Sequence, residues 1–80
     1  MKIQLLSFAA LKEFFPSKQD LSLEGINTVS DLKSYLLGLK PDAEKLIKIS
    51  RISVNQTISK DSDLITEGAI VALLPPSSGG

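Results

Sequence analysis

Eighty residues with nine basic and nine acidic side chains, no cysteine and no histidine describe one small neutral domain, whose folding hides only ~60% of the surface an unfolded chain exposes. The balanced charge leaves no electrostatic footprint for nucleic acid and no basic amphipathic segment to hold a membrane. The missing thiols and imidazoles remove disulfides, tetrahedral metal sites and the common nucleophile and base pairings. The first seven residues are too short and too polar for a secretion signal, and no apolar run approaches membrane-spanning length. The expectation is a soluble cytoplasmic protein that binds through shape and apolar contact.

Residues 2–9 alternate with period two: Ile3, Leu5 and Ser7 point one way, and Lys2, Gln4, Leu6 and Phe8 the other, which predicts a strand. Residues 11–15 suit a turn of helix before Pro16. Leu21 and Leu23 alternate with Asp20, Ser22 and Glu24 as a second strand that Gly25 ends. Thr28 and Asp31 have capping-box spacing, and Val29, Leu32, Leu36 and Leu39 recur at threes and fours, so a helix runs from there to Pro41. A short helical turn follows over 42–47. Ile49, Ile52 and Val54 read as strand, Asn55-Gln56 as a turn that Asn55 suits by tolerating left-handed geometry, and Thr57-Ile58 as its short partner. Glu67-Gly68 makes another turn, and residues 69–74 form a last strand rich in Val, Ile and Leu.

This order is α+β, with a domain over 1–74 and an extended tail over 75–80. One amphipathic helix covers one face of a sheet, so the second face needs a loop or a partner to cover it. That face is apolar near the tail: Leu6 and Phe8 on the first strand, Ile70, Ala72 and Leu74 on the last. Either residues 11–15 fold over it or it is a docking patch. As a patch, Phe8, Ile58 and Leu74 would each contribute roughly 1.5–3 kcal/mol on full burial, before the costs of association.

The chain ends Pro75-Pro76-Ser77-Ser78-Gly79-Gly80. Two glycines make a thread thin enough for a narrow cleft, and the prolines favour an extended stem that loses little entropy on threading. Six residues reach ~20 Å when extended. A carboxylate with a pKa of ~3.5 is ionised and resists nucleophiles, so Gly80 would need activation, for example as an acyl adenylate.

Val54-Asn55-Gln56-Thr57, Gly68, Val71-Ala72 and the Pro-Pro-Ser-Ser-Gly-Gly ending together resemble the small subunit of molybdopterin synthase, the MoaD-like sulfur carriers, and Phe8-Ala9 with Leu11-Lys12-Glu13 fits that family's first strand and turn. The resemblance implies a ubiquitin-like β-grasp fold: a mixed sheet on one main helix with a protruding C-terminal tail. It also implies a cycle in which a MoeB-like, ubiquitin-activating-like adenylyltransferase uses ATP to adenylate Gly80. A sulfur donor then makes the thiocarboxylate, and a MoaE-like large subunit of a heterotetrameric synthase passes the sulfur to cyclic pyranopterin monophosphate for molybdenum cofactor biosynthesis. On this reading Gly80 carries the sulfur, Gly79, Ser78, Ser77, Pro76 and Pro75 insert into the partner, and Phe8, Ile58 and Leu74 bind it. No tightly bound cofactor, metal, nucleic acid or membrane is implied, and catalytic residues belong to the large subunit. Similar carriers serve thiamine, cysteine and tRNA thiolation, and a ubiquitin-like protein modifier is a further alternative. The chain departs from the family at Ala69-Ile70, where acidic residues are common, and at Ser77, where a branched apolar residue is frequent.

Three other features have plainer readings. Asn55-Gln56-Thr57 matches a glycosylation sequon but reads as a hairpin turn. Asp61, Asp63 and Glu67 lack converging ligand spacing and read as solvated turn residues. Lys45, Lys48, Arg51 and Lys60 read as scattered surface charge.

Overall fold

The computed structural model describes residues 1–76. β1 (Lys2–Ser7) buries Ile3, Leu5 and Ser7 and turns Lys2, Gln4 and Leu6 to the other side. It is an interior strand of a mixed sheet, antiparallel to β2 (Lys18–Ser22) and parallel to β5 (Ile70–Leu74). β5 in turn pairs antiparallel with β3 (Arg51–Val54), which pairs with β4 (Thr57–Ser59), so the sheet order is β2-β1-β5-β3-β4. The parallel neighbours β1 and β5 are the first and last strands of the chain, with the helices and the other three strands between them.

α1 (Val29–Leu39) begins as its sequence requires. Thr28 Oγ1 accepts the N–H of Asp31 at 3.1 Å, and Asp31 Oδ2 accepts the N–H groups of Thr28 at 3.1 Å and Asn27 at 3.0 Å. These bonds satisfy donors that a helix start otherwise leaves unpaired. Val29, Leu32 and Leu36 are fully buried in one cluster with Ile3, Leu5, Ile52, Val71 and Leu73, so α1 covers the face of the sheet to which those strand residues point. With a mixed sheet packed on one main helix, the chain has the β-grasp arrangement of the α+β class.

Several boundaries differ from the sequence reading. Leu39, at core spacing, is 47% exposed because it is the last residue of α1, beyond the sheet-facing turns. Ile49 belongs to α2 (Glu44–Ile49), not to a strand, and is exposed. α2 runs this far because Ser50 closes it: its N–H donates to the Ile47 carbonyl and its hydroxyl to the Leu46 carbonyl. A 3-10 turn at Pro41–Ala43 leads into it. β2 starts at Lys18, earlier than Leu21 suggests, since its extent is fixed by pairing with β1, and Leu23 lies one residue past its end, buried, with its N–H on the Met1 carbonyl. The helical turn predicted over 11–15 is a 3-10 segment at Ala9–Glu13. It inserts Leu11, with Phe15 just beyond, into the main core. These residues therefore do not fold over the second face of the sheet.

Candidate functional site

The second face is uncovered by any other described element, and its side chains fall into rows set by strand register. Nearest the tail, Arg51 of β3 stands opposite Leu74 of β5. One step past the pair Ser7 and Leu73, Phe8 follows on β1 on the same side as Leu74. The next row runs Lys18, Leu6, Ala72, Ser53 and Ile58 across all five strands. The third holds Asp20, Gln4 and Ile70.

Ala72 and Ser53 are small, and although they belong to the open face their larger neighbours shield them to 8% and 7% exposure. They form a shallow floor. Around it rise Phe8 at 43%, Ile58 at 53% and Ile70 at 46% exposure, with Leu6 and Leu74 half-buried. The structure thus brings Phe8, Ile58 and Leu74 to one apolar face, and Leu6, Ile70 and Ala72 complete it. Large apolar side chains grouped on one sheet face mark a binding surface, whereas scattered single ones carry no such meaning.

The Asn55-Gln56 turn anchors this face beside β5. Both residues have positive φ, 51° and 72°, the backbone of the tight hairpin turn whose twist matches its strands. Asn55 donates its N–H to the Ile70 carbonyl at 2.8 Å, and its Oδ1 accepts the Ile70 N–H at 2.9 Å. The side chain therefore completes the β3 and β5 ladder at its far end, a role that turn propensity alone does not reveal.

β5 ends at Leu74, followed by half-buried Pro75 and exposed Pro76. A proline after a strand stops the ladder, having no N–H to give it. The sequence expectations for Ser77, Ser78, Gly79 and Gly80 lie outside the described residues. The departure at Ala69-Ile70 now has a location. Ala69 is buried at 1% exposure, and Ile70 adds apolar surface to the open face where an acidic residue would have made it polar.

The ThiS family profile matches residues 5–80, nearly the whole chain and its Gly-Gly end included. The chain belongs to the ThiS family. Membership gives a coarse biochemical class, a ubiquitin-like sulfur carrier or modifier. Solved structures share the fold. SAMP1 of Haloferax volcanii superimposes with a TM-score of 0.82 at 24% identity over 100% of both chains. A chain from the complex of subunits 1 and 2 of the molybdopterin-converting factor of Helicobacter pylori gives 0.71 at 20% identity over 100% of both. The ubiquitin of Caldiarchaeum subterraneum gives 0.64 at 20% identity, over 100% of this chain and 98% of that one.

Carboxylates elsewhere in this ThiS-family chain have local duties. Asp61 pairs with Lys33 at 2.9 Å, Asp63 Oδ2 accepts the Lys60 N–H at 2.8 Å, and Glu67 Oε2 accepts the Lys2 N–H at 3.0 Å. Lys48 is tied to Glu44 of its own helix at 2.9 Å. Hydrogen bonds from the backbone N–H groups of Asn27 and then Thr28 hold the Asp31 carboxyl below its ordinary pKa. Among the described residues no helix is long and apolar enough to cross a membrane.

Proposed function

We propose that this chain is the sulfur-carrier subunit of a molybdopterin synthase. The observation that carries the proposal is spatial. The apolar face formed by Phe8, Ile58 and Leu74 lies at the end of β5 that runs directly into Pro75-Pro76 and the Gly-Gly terminus. A partner that covers the face thereby receives the tail. Family membership supports the sulfur chemistry, and the Asn55-Gln56 turn with paired prolines favours the molybdenum branch over thiamine, cysteine or tRNA thiolation.

The chain supplies the reacting carboxylate and the stem that delivers it. A Gly80 carboxylate oxygen attacks the α-phosphorus of ATP in the active site of a MoeB-like adenylyltransferase, forming the acyl adenylate as pyrophosphate leaves. A sulfur nucleophile then takes the acyl carbon, which bears no side chain to hinder it, and AMP leaves. With hydrosulfide as that nucleophile the thiocarboxylate forms directly as AMP leaves; with a persulfide donor the resulting acyl disulfide yields the thiocarboxylate when a thiol reductant cleaves its S–S bond and is itself oxidised to a disulfide. A MoaE-like large subunit docks on the open face and accepts the tail, and sulfur passes to cyclic pyranopterin monophosphate. The carrier has no cysteine or histidine, so no side-chain thiol of its own competes for the mobile sulfur.

Intact-mass measurement tests this reading. With ATP, the adenylyltransferase and a sulfur source, the chain gains the mass difference of sulfur for oxygen, and the loaded form converts cyclic pyranopterin monophosphate when the large subunit is added. Larger covalent adducts on lysines would instead identify a protein modifier. Loading without conversion would move the chain to another thiolation branch.

A further inference from the structure

The open face is polarised in a way that overall charge conceals. Its strand positions carry Lys2, Lys18 and Arg51 against one carboxylate, Asp20, in a chain whose charges balance at nine and nine. Two of those cations bracket the apolar residues. Lys18 stands at the β2 end of the row containing Leu6 and Ile58, and Arg51 stands opposite Leu74 at the root of the tail. Both are exposed, and neither makes a salt bridge among the described residues, where the pairs are Lys33 with Asp61 and Lys48 with Glu44.

We infer that Arg51 and Lys18 are specificity-determining residues, which select a partner protein whose apolar contact surface is bordered by carboxylates. This rests on the docking reading above and adds the chemistry of the surface that docks. Charge at the margin of an interface steers encounter and fixes register more than it adds affinity. A guanidinium presents a planar fork that matches a carboxylate with two bonds. Placed beside Leu74, such a pair would fix the orientation in which the tail leaves the face, while Lys18 fixes the opposite margin. A partner with basic residues there would meet like charge and lose affinity, so the two cations discriminate among proteins that share an apolar docking surface.

The test uses the full chain and the large synthase subunit of the same organism, with affinity measured calorimetrically at ionic strengths of about 0.1 M and about 1 M, where the screening length falls from about 10 to about 3 Å. The double variant Arg51→Glu, Lys18→Glu should bind about tenfold more weakly at the lower salt, and the difference should shrink at the higher. Its thermal midpoint should match the parent, because neither side chain is buried or ion-paired in the described structure. Leu74→Glu serves as the reference for docking itself. Loss of binding in Leu74→Glu with unchanged affinity and salt dependence in the double variant would overturn the inference and leave the docking reading standing. Undiminished binding by Leu74→Glu, or no binding by the parent chain, would overturn both.

Discussion

Ile58 and Leu64 form a matched pair for testing whether the open face, rather than exposed apolar surface in general, is what a partner recognises. Ile58 is 53% exposed on the open face, at its β4 margin, and Leu64 is 70% exposed in the bridge that joins Thr28, away from the five strands. Full burial of such a side chain is worth roughly 1.5–3 kcal/mol. About half of Ile58 is already hidden, so a covering partner gains about 1 kcal/mol from the remainder. Truncation to alanine should then weaken binding of the large subunit about fivefold, at about 1.4 kcal/mol per factor of ten. Leu64→Ala removes more exposed apolar surface yet should leave affinity within about twofold, the range expected for a side chain that stays in solvent. Calorimetric titration of both variants checks this, with urea denaturation to confirm that each retains the parent stability. Equal losses in the two variants, or none for Ile58→Ala, would refute the reasoning.

Deleting Gly80 should abolish ATP-dependent sulfur loading, read by intact mass, while leaving the thermal midpoint unchanged, because the last described strand, β5, ends at Leu74. Asn55→Gly suits the left-handed backbone but removes the bond from the Ile70 N–H to the Asn55 side chain, a loss of about 1 kcal/mol; Asn55→Ala loses the same bond while keeping a Cβ in that backbone region, and should cost about 1 kcal/mol more. Urea midpoints that do not separate the two variants would show that φ does not govern this turn. Asp31 makes a pH-dependent contribution. Its folded pKa lies below the ordinary value, so its stabilisation is fully present above that ordinary value and disappears as pH falls through the folded one. Asp31→Asn should flatten the acid side of the stability profile in that window, and an unchanged profile would contradict the capping geometry.

The elements that sequence reveals here are those governed by local chemistry. Alternation along β1 sorts Ile3, Leu5 and Ser7 from Gln4 and Leu6. Thr28 and Asp31 announce the start of α1, and Asn55 announces the hairpin, because each feature depends on residues a few positions apart. What escapes is set by pairing across the chain. Lys18 and Gln19 carry no strand signal, and β2 extends over them only because β1 offers partners. Ile49 has the composition of a strand, but Ser50 caps the helix there. Arg51 looks like scattered surface charge until register sets it beside Leu74, although alternation through Ile52 and Val54 would have placed it with Ser53 on the open face. The floor of Ala72 and Ser53 requires three neighbouring strands to be known at once. Ser7 sits at a core position legible from alternation, yet its buried hydroxyl lacks a hydrogen-bond partner among the described residues, and local pattern gives no sign of that cost.

The place of β5 within the sheet has a mechanical consequence. It is flanked by β1 on one side and β3 on the other, and the tail continues from its end. Tension applied along Pro75-Pro76 would load both hydrogen-bonded ladders in shear at once, so rupture would require many bonds to fail together. A tail attached to the three-residue edge strand β4 would load only one short ladder. The domain is therefore placed to act as an anchor, able to stay folded under a pull directed along β5.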